Sequence, residues 1–116
     1  LIASQVWGDP RAKVGILGTG STLGAIVEAQ AQLAKKGIRT KFLQLRTLWP
    51  FPVKETEAFL GNCRQVFVVE NNFSGQLSRL IKSQVEGCPR LKNILKYSSL
   101  PFKPMDISGR IRRALG

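Results

Sequence analysis

Short apolar runs and amphipathic stripes alternate four times along this chain, and that alternation constrains its fold more than any single motif. "AKVGILG" at 12–18 is a short apolar run ending in glycine, as a buried strand requires. "TLGAIVEAQAQLAKKG" follows, with Leu23, Ile26, Val27, Ala31 and Ala34 at helical spacing and Leu33 widening the stripe. Ser21 or Thr22 can cap this helix, and Gly37 stops it after two lysines that suit the negative end of its dipole. "TKFLQL" at 40–45 is the second strand. Pro52 then starts a short helix through Leu60. "QVFVVE" at 65–70 is a β-branched run of the kind buried on both faces. Ser74 opens a helix striped by Leu77, Leu80, Ile81 and Val85, "LKNILKY" at 91–97 is a weaker strand, and Ile107, Ile111, Ala114 and Leu115 stripe the last helix.

Repeated strand–helix units mean parallel strands with crossover helices. The expected fold is therefore a three-layer α/β/α domain over residues 1–116, with a mostly parallel sheet of four to five strands. Val6 and Trp7 leave room for one short edge strand before Pro10. A chain of 116 residues makes one such domain and buries roughly two thirds of its unfolded surface. Its start at Leu1, without a methionine, reads as a piece of something longer.

Every loop leaving the C-terminal end of a strand in this fold lies along one edge of the sheet, where ligands and partners dock. Four loops qualify: "GTGST", "RTLWPFP", "ENNFSG" and "SSLPFKP". They are also the least generic stretches of the chain. Gly18 and Gly20 suggest a phosphate-holding turn, but the third glycine is Gly24, which gives G-x-G-x-x-x-G rather than the dinucleotide spacing. The second strand ends in Gln44 and Arg46 with no acid for a ribose, and no lysine stands in a P-loop position. Tight turn geometry explains the glycines better than a nucleotide does. Trp49 and Phe51, set by Pro50 and Pro52, can anchor a partner or cover the sheet edge, and Phe102 suits a core plug.

Glu70, Asn71, Asn72 and Gln76 crowd into seven residues. A lone carboxylate with no histidine or second acid nearby is a poor acid–base pair, and Ser21 and Ser74 have no visible base to activate them. The cluster reads as a hydrogen-bonded corner presenting Glu70 to a neighbouring domain. The expected partner edge is accordingly Ser21, Thr22, Trp49, Pro50, Phe51, Glu70, Asn71, Asn72, Gln76 and Phe102, with no catalytic, cofactor-binding or metal-binding residue in the domain itself.

Composition narrows the function classes further. The net charge is +11, from 18 Lys and Arg against 7 Asp and Glu. The cations are scattered, with no run of five and no interleaved aromatics, so a solvated face is favoured over a nucleic-acid groove. No apolar run approaches the ~20 residues that cross a bilayer, so no membrane association is expected. The chain has no histidine, which removes the usual general base and a common metal ligand. Cys63 and Cys88 cannot alone hold a cluster or a zinc ion; a bridge between them is open, but two reduced cytoplasmic thiols are expected.

Taken together, "GSTLGAIVEA" (20–29), "LRTLWPFP" (45–52), "VVENNFSGQL" (68–77) and "LPFKP" (100–104) resemble the C-terminal region of the α subunit of 2-oxoacid:ferredoxin oxidoreductases, closest to the 2-oxoglutarate type. The resemblance implies a fold similar to the transketolase C-terminal domain, a mixed sheet with one antiparallel edge strand. It implies a thiamine diphosphate enzyme that oxidatively decarboxylates a 2-oxoacid, forms an acyl-coenzyme A and passes electrons through an iron–sulfur cluster to ferredoxin. It also implies that thiamine diphosphate, magnesium and the cluster sit outside this domain, whose partners are the rest of the α subunit and the β subunit. A stand-alone nucleotide or anion binder and a basic nucleic-acid module are the alternatives, and neither accounts for "LRTLWPFP" or "VVENNFSGQL".

Overall fold

The computed structural model describes residues 5–19, 22–45, 51–70, 76–85, 91–95 and 101–116. Five strands and four helices follow one another: β1 (Gln5–Gly8), β2 (Val14–Thr19), α1 (Leu23–Lys35), β3 (Thr40–Leu45), α2 (Val53–Leu60), β4 (Gln65–Glu70), α3 (Gln76–Gln84), β5 (Leu91–Leu95) and α4 (Pro104–Leu115). The sheet order is β1-β3-β2-β4-β5. β1 pairs antiparallel with β3, and the other three pairings are parallel. The mixed sheet with an antiparallel edge is the architecture that the alternating pattern and the resemblance predict.

Side-chain alternation along the strands builds two cores. Ile16, Phe42, Phe67, Val69 and Ile94 point to one face, where Ile26 and Leu33 of α1 and Ile107 and Ile111 of α4 cover them. Leu17, Leu43, Leu45, Val66 and Val68 point to the other, under Phe59 and Leu60 of α2 and Leu77 and Ile81 of α3. Each fully buried Leu, Ile or Phe contributes about 1.5–3 kcal/mol through removal from water. Every residue of β3 is buried, which follows from its position between β1 and β2 with a helix layer on each face.

The inward face of α1 differs from the stripe expected from apolar spacing. Ile26, Ala29, Gln30 and Leu33 face inward, whereas Val27 is 36% exposed and Ala31 and Ala34 are exposed. Gln30 holds this face inward. Its Nε2 donates to the Trp7 carbonyl at 3.1 Å and reaches the Thr40 carbonyl, which also accepts the Asp9 N–H, at 3.5 Å, tying α1 to the junction of β1 and β3. A buried side-chain amide without such acceptors costs about 1–3 kcal/mol. The same junction requires glycine at position 8. Its φ is +96°, and a Cβ there would lie 2.5 Å from the Thr40 carbonyl oxygen and 2.6 Å from Gln30 Nε2.

Candidate functional site

The first parallel step goes from β2 through α1 to β3, and the next returns from β3 through α2 to β4 on the far side of β2. The winding therefore reverses between β2 and β4. In open α/β sheets the crevice at such a reversal, outside the carboxyl ends of the strands, is where ligands and partners bind. The parallel register sets Gly18 opposite Val69, so β2 and β4 reach this crevice together at Thr19 and Glu70. Sequence reasoning placed the loops on one edge but not side by side, because local periodicity carries no information about strand order.

Glu70, the last residue of β4, is only 3% exposed. Its Oε1 accepts the Leu77 backbone N–H at 2.6 Å, and its Oε2 lies 3.5 Å from the Ser78 N–H. The carboxylate thus sits on the N-terminal turn of α3, satisfying amides that have no partner within the helix and meeting its positive end. The acid faces inward, a correction to the expectation that the corner holds it outward. The signal was present in the sequence, since an apolar strand ending in an acid shortly before a helix is a cap delivered from outside that helix. Asn71 and Asn72 lie outside the described residues, as does Ser74, and Gln76 is described by its backbone alone.

Thr22 is the residue before α1 and is 3% exposed. Its hydroxyl donates to the Thr19 carbonyl at 2.8 Å and makes no capping bond to α1, which corrects the capping role expected of it. It closes the turn between β2 and α1 instead. Gly18 serves the same turn by its size: a Cβ there would stand 2.8 Å from both Ile26 Cδ1 and Thr22 Oγ1. Ser21 lies outside the described residues.

Phe51 and Phe102 are each 8% exposed and belong to the two opposite cores, Phe51 to the α2/α3 side and Phe102 to the α1/α4 side. Of the two roles open to Phe51, the structure gives it the covering one, and Phe102 is the plug the sequence suggests. Trp49 and Pro50 lie outside the described residues.

At the other end of the sheet, the sequence reading missed a buried cation. Lys41, one of the 18 cations whose scatter suggested a solvated face, is 4% exposed. Its Nζ donates to the Phe59 carbonyl at 2.5 Å and to Asn62 Oδ1 at 2.6 Å, and it stands 4.4 Å from the centroid of the Phe59 ring. Cys63 donates to the same Phe59 carbonyl at 3.4 Å and is a free thiol. Burial pushes its pKa above the ordinary thiol value, opposed by the nearby Lys41 and Lys13 charges. Cys88 lies outside the described residues.

Among the described residues no three His, Cys, Asp or Glu side chains converge as metal ligands, and no helix is long and apolar enough to cross a membrane.

Residues 12–104 match the family model of the pyruvate:ferredoxin oxidoreductase core domain II. The chain belongs to that family. Its core domain II is 34% identical over 108 residues to the α subunit of 2-oxoacid:ferredoxin oxidoreductase 2 of Aeropyrum pernix, and 30% identical over the same length to the α subunit of the Saccharolobus solfataricus enzyme. Each alignment covers 93% of this chain and 17% of the relative, so the chain spans about a sixth of the curated relatives it matches. A solved 2-oxoglutarate:ferredoxin oxidoreductase from Magnetococcus marinus, with 2-oxoglutarate, coenzyme A and succinyl-CoA bound, superposes with a TM-score of 0.86 at 35% identity. That match covers 100% of this chain and 20% of the other. A split-gene transketolase shares the fold at a TM-score of 0.74 and 14% identity, covering 97% of this chain and 41% of its own.

Proposed function

We propose that this core domain II is a scaffold of the α subunit of a thiamine diphosphate-dependent 2-oxoacid:ferredoxin oxidoreductase located in the cytoplasm. In this reading the whole enzyme decarboxylates a 2-oxoacid of the 2-oxoglutarate type to an acyl-coenzyme A and passes the electrons to ferredoxin. One observation carries the reading: the complete chain superposes on one fifth of a solved chain of such an enzyme, at 35% identity. In the same reading thiamine diphosphate, magnesium and the iron–sulfur cluster belong to other parts of the assembly, and no chemical step is assigned to this domain.

The domain's contribution is then mechanical. Glu70, Thr22, Phe51 and Phe102 are satisfied internally, so they support the reversal-point edge rather than touch a neighbour. Contact with the rest of the α subunit and with the β subunit falls to other residues of the expected edge, Trp49, Asn71 and Asn72 among them.

The test uses the full-length α subunit with its partner subunit. Coenzyme A-dependent reduction of methyl viologen by 2-oxoglutarate is the expected activity, and Trp49→Ala should weaken subunit co-purification while far-UV circular dichroism stays unchanged. Absence of any 2-oxoacid-dependent reduction would remove the enzymatic assignment. Undiminished assembly in the Trp49 variant would remove the scaffold role.

A further inference from the structure

α1 carries a second apolar stripe that the domain itself does not bury. Val27, Ala31 and Ala34 recur at helical spacing and belong to the stripe expected to face the core, yet all three are exposed. The helix thus has two apolar faces: Ile26, Ala29 and Leu33 cover the sheet, and the other three residues turn toward the β1 edge. Between that second face and the end of β1 opens a groove of about 300 Å³, walled by Trp7, Val27, Gln30, Ala31 and Ala34. β1 enters from the opposite end of the sheet, with Gln5 beside Gln44, so no wall of the groove is a chain end. The charges on its lining, Asp9 and Arg39, pair with each other at 3.6 Å and leave it neutral.

Gln30 adds a polar requirement. It is only 9% exposed, and its Nε2 is engaged by the Trp7 and Thr40 carbonyls. Its Oε1 accepts no hydrogen bond among the described residues. With Nε2 drawn to the strands, Oε1 is the amide atom left for an occupant of the groove. Buried amide oxygens are satisfied in folded proteins, so that occupant must bring an N–H or O–H donor.

We propose that the groove seats a segment of the α subunit from outside this domain, one that presents apolar side chains and a donor to Gln30 Oε1. The inference rests on the functional reading above only in taking the chain as one domain of a longer α subunit. It adds a second seam, away from the carboxyl edge of the sheet. The matched archaeal α subunits devote 17% of their length to this domain, so most of such a subunit lies outside it and must pack somewhere. Neighbouring domains of one chain bury about 600–1,500 Å² between them. Apolar surface of that kind continues around this edge, where Val6 is 53% exposed on the other face of β1. A neutral, apolar lining suits a lasting contact better than a charge-steered encounter. A second copy fits less well, because a two-fold contact would set hollow against hollow.

The experiment takes the full-length α subunit with its partner subunit and places a photoreactive diazirine amino acid at position 27. Irradiation and peptide mass spectrometry should join that position to a peptide of the same α chain from outside residues 1–116. A second preparation carries A31K/A34K, which puts two charges on the stripe without touching the domain's own core. Limited proteolysis of the α subunit should then quicken about tenfold, because a seam cannot bury unpaired ammonium groups, while far-UV circular dichroism stays unchanged. A cross-link to a second copy of this domain or to the partner subunit would overturn the proposal. So would reaction with water alone, or proteolysis at the wild-type rate. The expected cross-link in a complex that reduces no acceptor with any 2-oxoacid would support the seam and remove the enzymatic reading.

Discussion

Two buried charges of opposite sign stand at opposite ends of the α2/α3 layer, and each meets a helix terminus. Glu70, at the C-terminal edge of the sheet, places its carboxylate on the first turn of α3. Lys41, near the N-terminal edge, places its ammonium on the Phe59 carbonyl at the end of α2. The strands deliver to each helix the charge its dipole lacks. Lys41 has a second side-chain acceptor in Asn62 and the Phe59 ring beneath it, and Glu70 accepts from two successive backbone amides of α3. The comparison shows that an ionisable residue inside a strand need not signal chemistry, since a helix end within reach supplies sufficient cause.

The largest effect should come from breaking the sign rule. Glu70→Lys sets a cation against the positive end of α3 in a buried site and should cost at least about 4 kcal/mol, read as a lowered urea midpoint or loss of cooperative unfolding. Removing each charge while keeping shape sharpens the comparison. Lys41→Met should cost about 2–3 kcal/mol, because two acceptors at the end of α2 lose a charged donor. Glu70→Gln should cost about 1–2 kcal/mol, since one amide oxygen still accepts from α3. Equal costs would show that the supporting shell of Lys41 contributes nothing beyond the helix-end charge. Neither cost should change much with added salt, because both sites are screened little by solvent ions.

The smallest effect concerns Cys63, beside Lys41. Burial raises its folded pKa, so the thiol contributes stability that is present below the ordinary value of 9.0 and lost as pH rises through the higher folded value. Cys63→Ala should flatten the alkaline limb of the stability profile between those two values. An unchanged limb would show that Lys41 and Lys13 cancel the effect of burial.

Much of the architecture was legible in the residues. Apolar run lengths gave the strands, and β4 and β3 fall on "QVFVVE" and "TKFLQL" as read. The last helix buries Ile107 and Ile111 of its expected stripe but leaves Ala114 and Leu115 exposed, since its last turn runs past the sheet it covers. The face of α1 was misread because an apolar count cannot weigh a glutamine that finds its acceptor far along the chain. The candidate site was legible in part: its loops and their shared edge follow from the winding, but the inward turn of Glu70 and the internal bond of Thr22 do not.

By itself, then, the sequence determined the elements, the α/β layering and the family, because burial periodicity and loop motifs are local properties that survive without a partner strand. The tertiary structure alone decided the order β1-β3-β2-β4-β5, the neighbouring of Thr19 with Glu70, and the burial of Lys41. Those depend on pairings between residues distant in sequence, where the free energy of satisfying a helix end or a buried carbonyl is set by what the fold brings beside it.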